Sequence, residues 1–290
     1  MEVTIIGHGS LMSGRGLAFS GALHVKDAYI VALAACQRGF AKLSRYGDRF
    51  ATDLMITRAP LEGRRIAPGS SPTLDIEGLA LTVPLEDAAR LSTREGYDPT
   101  RLQQLADIAR TRGLGVAEFL WRLQVEAGAN VVAYRRQLFA LIGYTSPHYI
   151  PHPVHLDAAH YALIFLAPGF EGTGADEVIS IRQQTGVAAL MNTVETWRRK
   201  PNPDQLSYFL SCLLGGVHGV SVRDLLHTVS EEPMLRERLV DQLSSLLRQE
   251  REQFLSATGL TTEQYQHAFG EPTTAMERSG LRRFLQEAKT

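Results

Sequence analysis

The chain is 290 residues long and nearly neutral, with 30 Lys and Arg against 31 Asp and Glu, and 44% of its residues are hydrophobic. That length buries a sizeable core in one large or two smaller domains, and the composition excludes a disordered chain, a collagen-like repeat and a disulfide scaffold. A net charge of −1 gives no global attraction to nucleic acid or to an acidic membrane, and two cysteines, Cys36 and Cys212, predict a reduced cytoplasmic protein.

Taken in chain order, Val3 to Ile6 reads as a short strand running into Gly7-His8-Gly9-Ser10. The start has no basic residues and too short an apolar run for a signal peptide. Ala28–Ala34, Ala51–Thr57 and Ile76–Val83 are further strands. Pro84 is expected at the first position of a short helix over Leu85–Thr93. Thr100–Arg112 and Val116–Ala127 carry helical apolar spacing, whereas Val131–Tyr144, rich in β-branched and aromatic residues, predicts a long strand. Pro147, Pro151 and Pro153 punctuate an extended stretch over 145–157. Tyr161–Ala167 fits either a buried strand or a short helix, and it is far shorter than the roughly 20 residues that span a bilayer. A connector lies near 168–176. Beyond it the texture is helical, with a leucine stripe at Leu235, Leu239, Leu243, Leu246 and Leu247 and a capping box at Thr261 and Gln264. The expected fold is α+β, a curved, barrel-like mixed sheet over residues 1–172 followed by an all-α domain over 173–290.

The first loop, Gly7 to Gly16, fails as a dinucleotide fingerprint, because Met12 stands where the third glycine belongs. No Gly-Lys-Ser/Thr follows, so a P-loop is excluded, and Ser10 lies outside a G-x-S-x-G elbow. Two readings stay open: a plain turn with glycines at positive φ, or a strand-end loop that aims main-chain N–H groups at an anion such as a carboxylate.

The order of several short motifs resembles the γ-glutamylcyclotransferase-like family. His8-Gly9-Ser10-Leu11 stands where the family has its Tyr-Gly-Ser loop after the first strand. Cys36-Gln37-Arg38-Gly39-Phe40 is similar to a family strand. Arg94-Glu95-Gly96-Tyr97 matches the position of the family's essential glutamate after a short helix, and Tyr149-Ile150-Pro151-His152-Pro153 resembles its distal motif. The resemblance spans about residues 1–170. His8 in place of the usual Tyr is the departure that bears on the pocket.

The resemblance implies a γ-glutamyl small-molecule substrate whose own α-amine attacks the γ-carbonyl, releasing 5-oxoproline and an amine or amino acid, with no metal and no cofactor. Glu95 is then the catalytic proton carrier. His8, Gly9, Ser10, Leu11 and Tyr149 are the substrate-binding set, the main-chain N–H groups of the loop holding either the α-carboxylate or the developing oxyanion. A non-catalytic carboxylate- or peptide-binding module and an acyl- or amine-transfer enzyme on the same scaffold are the alternatives. The histidines at 148, 152, 155 and 160 lack a frame for metal ligation, because the prolines among them prevent a helical i, i+4 face. The basic clusters Arg198–Lys200 and Arg282–Arg283 are too small to predict nucleic-acid binding. The helical tail is expected to pack as a bundle, with a second subunit or a carrier or peptide partner as the other candidates for its stripe.

Overall fold

The computed structural model describes residues 1–34, 36–43, 50–56, 60–67, 76–128, 130–143, 150–157, 160–166 and 249–269. The strands are β1 Glu2–Gly7, β2 Asp27–Leu33, β3 Cys36–Leu43, β4 Phe50–Ile56, β5 Leu61–Arg65, β6 Ile76–Pro84, β7 Ile150–Asp157 and β8 His160–Leu166. The helices are α1 Gly14–Ala18, α2 Leu85–Arg94, α3 Pro99–Thr111, α4 Val116–Glu126, α5 Val131–Ile142, a helical run over 249–258, and α6 Thr262–Phe269. The fold is mixed α and β around a closed barrel in the order β1-β6-β2-β5-β7-β8, with β3 and β4 as a separate antiparallel pair. Two junctions are parallel, β5 with β7 and β8 with β1, and the second closes the barrel through the Ile5–Leu163 pair.

Period-2 alternation divides the apolar residues between two cores. Ile6, Tyr29, Val31, Leu33, Leu61, Ala80, Val154, Leu156, Ala162, Ile164 and Leu166 all come from barrel strands and fill its interior. Val3, Ile5, Leu79, Leu81, Leu163 and Phe165 point the other way, into a larger core shared with α2, α3, α4 and α5. Phe254, Ala257, Leu260, Tyr265, Ala268 and Phe269, from 249–258 and α6, belong to that same outer core. The leucine stripe at 235–247 and Cys212 lie outside the described residues.

Two local expectations are corrected. Residues 131–142 are a helix, not a strand. Asn130 caps it by accepting the Ala133 N–H (3.0 Å), and its buried positions Tyr134, Leu138 and Ile142 recur every fourth residue. The β-branched pair Val131-Val132 sits only at its first turn, where tertiary packing overrides propensity. Pro84 ends β6 and stands at the N-cap, so α2 begins at Leu85. The far end of the proline-punctuated extended stretch is strand β7. Its parallel partner β5 joins only at Val154, beyond both Pro151 and Pro153, so neither missing N–H interrupts that ladder.

Other readings hold. Residues 160–166 form a strand. Thr261 and Gln264 make the reciprocal capping box, the Thr261 N–H donating to Gln264 Oε1 (2.8 Å) and the Gln264 N–H to Thr261 Oγ1 (3.2 Å). Among the described residues no helix is long and apolar enough to cross a membrane.

Candidate active site

The first strand ends at Gly7, and the chain folds back at once. A Cβ on Gly7 would lie 2.6 Å from the Leu11 Cβ, so glycine is required there by close approach. Positive φ is not the reason: neither Gly7 nor Gly9 adopts it, which removes the plain positive-φ turn from the two readings left open by the sequence. Ser10–Met12 form one 3-10 turn closed by the Met12 N–H on Gly9 O (3.0 Å). A turn of this kind uses only that N–H internally, so those of Ser10 and Leu11 are not spent within it. Leu11 is buried in the outer core, at 4% exposure. His8 is also buried, at 6% exposure. Ser13 then caps α1 by accepting the Gly16 N–H (3.0 Å).

Helix α2 brings Glu95 to the same end of the barrel. Its first residue donates from the Leu85 N–H to Met1 O (3.0 Å), beside the start of β1. At its other end the Arg94 guanidinium donates to Gly16 O and to Ser20 Oγ (3.2 Å). The helix therefore runs alongside β1 in the same direction and finishes next to α1, just past the Gly-Ser turn. The buried Asp87 fixes its first turn, accepting the His24 N–H (2.6 Å) and pairing with Arg90. Burial alone would raise the Asp87 carboxyl, but these donors outweigh it and hold it below its ordinary value.

The Arg-Glu-Gly-Tyr signature is a helix terminator. Glu95 is the C-cap, Gly96 follows at φ 76°, the Gly96 N–H donates to Thr93 O (3.0 Å) and the Tyr97 N–H to Ser92 O (2.9 Å). These are the two bonds of a Schellman motif. They fix the backbone of Glu95, a half-buried residue, and turn Tyr97 into the core. The Tyr97 ring lies 5.6 Å from Phe165. Because Ile5 pairs with Leu163 in the parallel junction, Phe165 is level with Gly7. Residues on both sides of Glu95 thus anchor on structure that flanks the first loop: Arg94 on α1, and Tyr97, two residues on, against the strand beside Gly7.

Enclosed polar groups run from Tyr97 through Tyr134 to His152. The Tyr134 hydroxyl donates to Pro151 O (2.7 Å), and its ring is 5.6 Å from that of His152. Burial, with the positive Arg135 adding to it, pushes the His152 imidazole down to about 3, so it stays neutral. Burial, reinforced by Asp98 and opposed by Arg101, pushes the Tyr97 phenol well above its usual range. The Tyr97 hydroxyl, both polar atoms of the Gln124 side chain and His152 Nδ1 make no hydrogen bond among the described residues. Glu77, 2% exposed, adds a carboxylate on the outer face of β6, two residues beyond the Leu79–Gly7 pair and hence toward the Gly-Ser turn.

Tyr149 and His148 lie outside the described residues. His152 and His155 fall on opposite faces of β7: His152 shares the inner face of Val154 and Ile164, while His155 stacks with Trp121 and Tyr161 at 5.1–5.2 Å. Sequence reasoning named Tyr97 only within the Arg-Glu-Gly-Tyr motif and passed over Glu77, Gln124 and Tyr134. Glu77 did carry a signal, a carboxylate in phase with Leu79, Leu81 and Val83. Gln124 and Tyr134 had none. Comparison with protein-family models, with curated proteins and with solved structures finds no match.

Proposed function

We propose that this protein is a γ-glutamylcyclotransferase-like enzyme that cyclises a γ-glutamyl amide. The observation that carries the reading is the placement of a half-buried glutamate, fixed on a helix terminator, at the end of a barrel where a Gly-Ser turn presents main-chain donors. The substrate's α-amine forms the new C–N bond at the γ-carbonyl, and the bond to the departing nitrogen breaks. Glu95 takes the proton from the attacking amine and returns it to the leaving nitrogen, so no net proton is consumed. The N–H groups of Ser10 and Leu11 meet the α-carboxylate or the oxyanion. Holding both ends of one molecule in a ring-like pose supplies much of the rate, since well-oriented intramolecular attack reaches effective molarities of roughly 10⁵–10⁸ M. The enclosed Tyr97 hydroxyl, Gln124 carboxamide and neutral His152 suit recognition of a small polar substrate rather than an apolar one.

The test is a product assay. Glutathione, γ-glutamyl amino acids and γ-glutamyl amines are incubated with the protein and 5-oxoproline is measured. Wild type is expected to form it from at least one of them, and Glu95→Gln, which keeps shape but cannot carry the proton, to lose about 10²–10⁴-fold in rate. Binding of a γ-glutamyl compound without turnover favours the receptor reading. Equal rates for both proteins remove Glu95 from its role.

A further inference from the structure

A long-range contact next to the candidate site involves none of its residues. The Gly14 N–H donates to Glu250 Oε1 (2.5 Å) and the Arg15 N–H to Glu250 Oε2 (3.4 Å), across 236 and 235 residues of sequence. One carboxylate thus serves two of the first N–H groups of α1, while the Ser13 hydroxyl serves a third, that of Gly16. The backbones are in close contact as well: a Cβ on Gly14 would lie 2.2 Å from the Phe254 nitrogen and 2.5 Å from its Cα. Further along, the Leu23 N–H donates to Ala257 O (2.8 Å) and the Val25 N–H to Thr258 O (3.1 Å), so the run is fastened to the chain on both sides of α1's far end. Phe254, Tyr265 and Phe269 then stack on one another at 4.8–5.4 Å within the outer core.

Helix α1 is the element that both halves of the candidate site touch. The Gly-Ser turn enters it directly through Ser13, and Arg94, the residue before Glu95, donates to its Gly16 carbonyl. We propose that residues 249–269 are a clamp that sets the geometry of the candidate site, with the Glu250 carboxylate as its positioning group acting through the main chain of Gly14 and Arg15. The clamp is argued from contacts alone and stands whether or not the chain cyclises γ-glutamyl compounds. Among the described residues the groups facing Glu250 are Arg15 on α1 and Tyr265 on α6, the latter also approached by Arg251. Burial dominates over the two N–H donors and Arg15 and pushes the carboxyl up to about 7. The enclosed charge weakens the docked form, so the clamp is tightest when Glu250 is protonated and loosens as pH rises toward 7.

Hydrogen exchange of the full-length chain, read by peptide, tests this. Glu250→Ala removes both acceptors and Gly14→Ala inserts the clashing methyl, while Glu250→Gln cannot titrate. Glu250→Ala is expected to raise exchange about tenfold or more in 249–258, in 9–18 and in 94–97, with β7 and β8 unchanged. Gly14→Ala gives the same pattern although Ala is the better helix former. In wild type, once intrinsic exchange rates are divided out, protection of 9–18 falls between pH 5 and 8; in Glu250→Gln it stays flat. Faster exchange confined to 249–269, or a uniform rise over every peptide with Glu250→Ala, overturns the clamp. So does a wild-type pH profile that matches Glu250→Gln. If Gly14→Ala does not fold, Glu250→Ala and Glu250→Gln decide.

Discussion

Gly96→Ala separates the architecture of the Glu95 cap from its chemistry. Gly96 sits at φ 76°, where an L-residue brings its Cβ against the following carbonyl at about 1–2 kcal/mol. Asn tolerates this conformation better, so Gly96→Asn should cost visibly less than Gly96→Ala. For a chain of this size that cost corresponds to a fall in melting temperature of roughly 2–8 °C for Gly96→Ala. It is readable by circular dichroism and by urea titration at unchanged m-value. The alternative open to the alanine variant is to abandon the left-handed turn. The Gly96 and Tyr97 N–H bonds to Thr93 and Ser92 would then break and Tyr97 would leave Phe165. In that case 5-oxoproline formation should fall further than stability does, and Gly96→Asn should restore most of it. Equal stability for Gly96, Ala and Asn would refute the helix-terminator reading of Arg94–Tyr97. Loss of stability with full activity would separate that cap from the placement of Glu95.

The Glu250 carboxyl, raised from 4.5 to about 7, makes folding pH-dependent. The folded state holds the proton more tightly, so stability is greatest below about 4.5 and falls as pH rises to about 7; the shift corresponds to at most about 3 kcal/mol. His152, held down at about 3, acts the other way, its contribution being full above 6.5 and lost as pH falls toward 3. Urea titrations of wild type and Glu250→Gln share the His152 effect, so their difference between pH 5 and 8 isolates Glu250; parallel curves would show that its carboxylate is not enclosed. Tyr134→Phe strips the donor from the buried Pro151 carbonyl and should cost about 1–3 kcal/mol in the same titration; a neutral result would mean the carbonyl has another donor.

What could be read from the sequence followed the strength of local signals. The strands at 27–33, 50–56 and 76–84 stand out as short runs rich in apolar and β-branched residues, the last stopped by Pro84. The capping box at Thr261 needs only a three-residue spacing. Helix α5 was misread because two valines at its start outweigh, by propensity, a period-four pattern that matters only once α5 packs over β7. Barrel closure had no local signal, since the β8–β1 and β5–β7 junctions depend on register between distant strands. At the site, the Gly-Ser turn and Glu95 stood out by motif order, whereas Gln124, Tyr134 and Tyr97 look like any helix or loop residues until their burial is known. The contact of Glu250 with α1 was invisible for the same reason: nothing near Glu250 or Gly14 names the other as its partner.

That contact also bears on how the protein is made. Gly14 leaves the ribosome well ahead of its carboxylate acceptor, which follows 236 residues later. Helix α1 has five residues, too few to persist on its own in water. Until Glu250 is made, the segment next to the Gly-Ser turn therefore waits with its leading amides open to solvent. A nascent chain that already contains every strand of the barrel still lacks the contact that fastens α1.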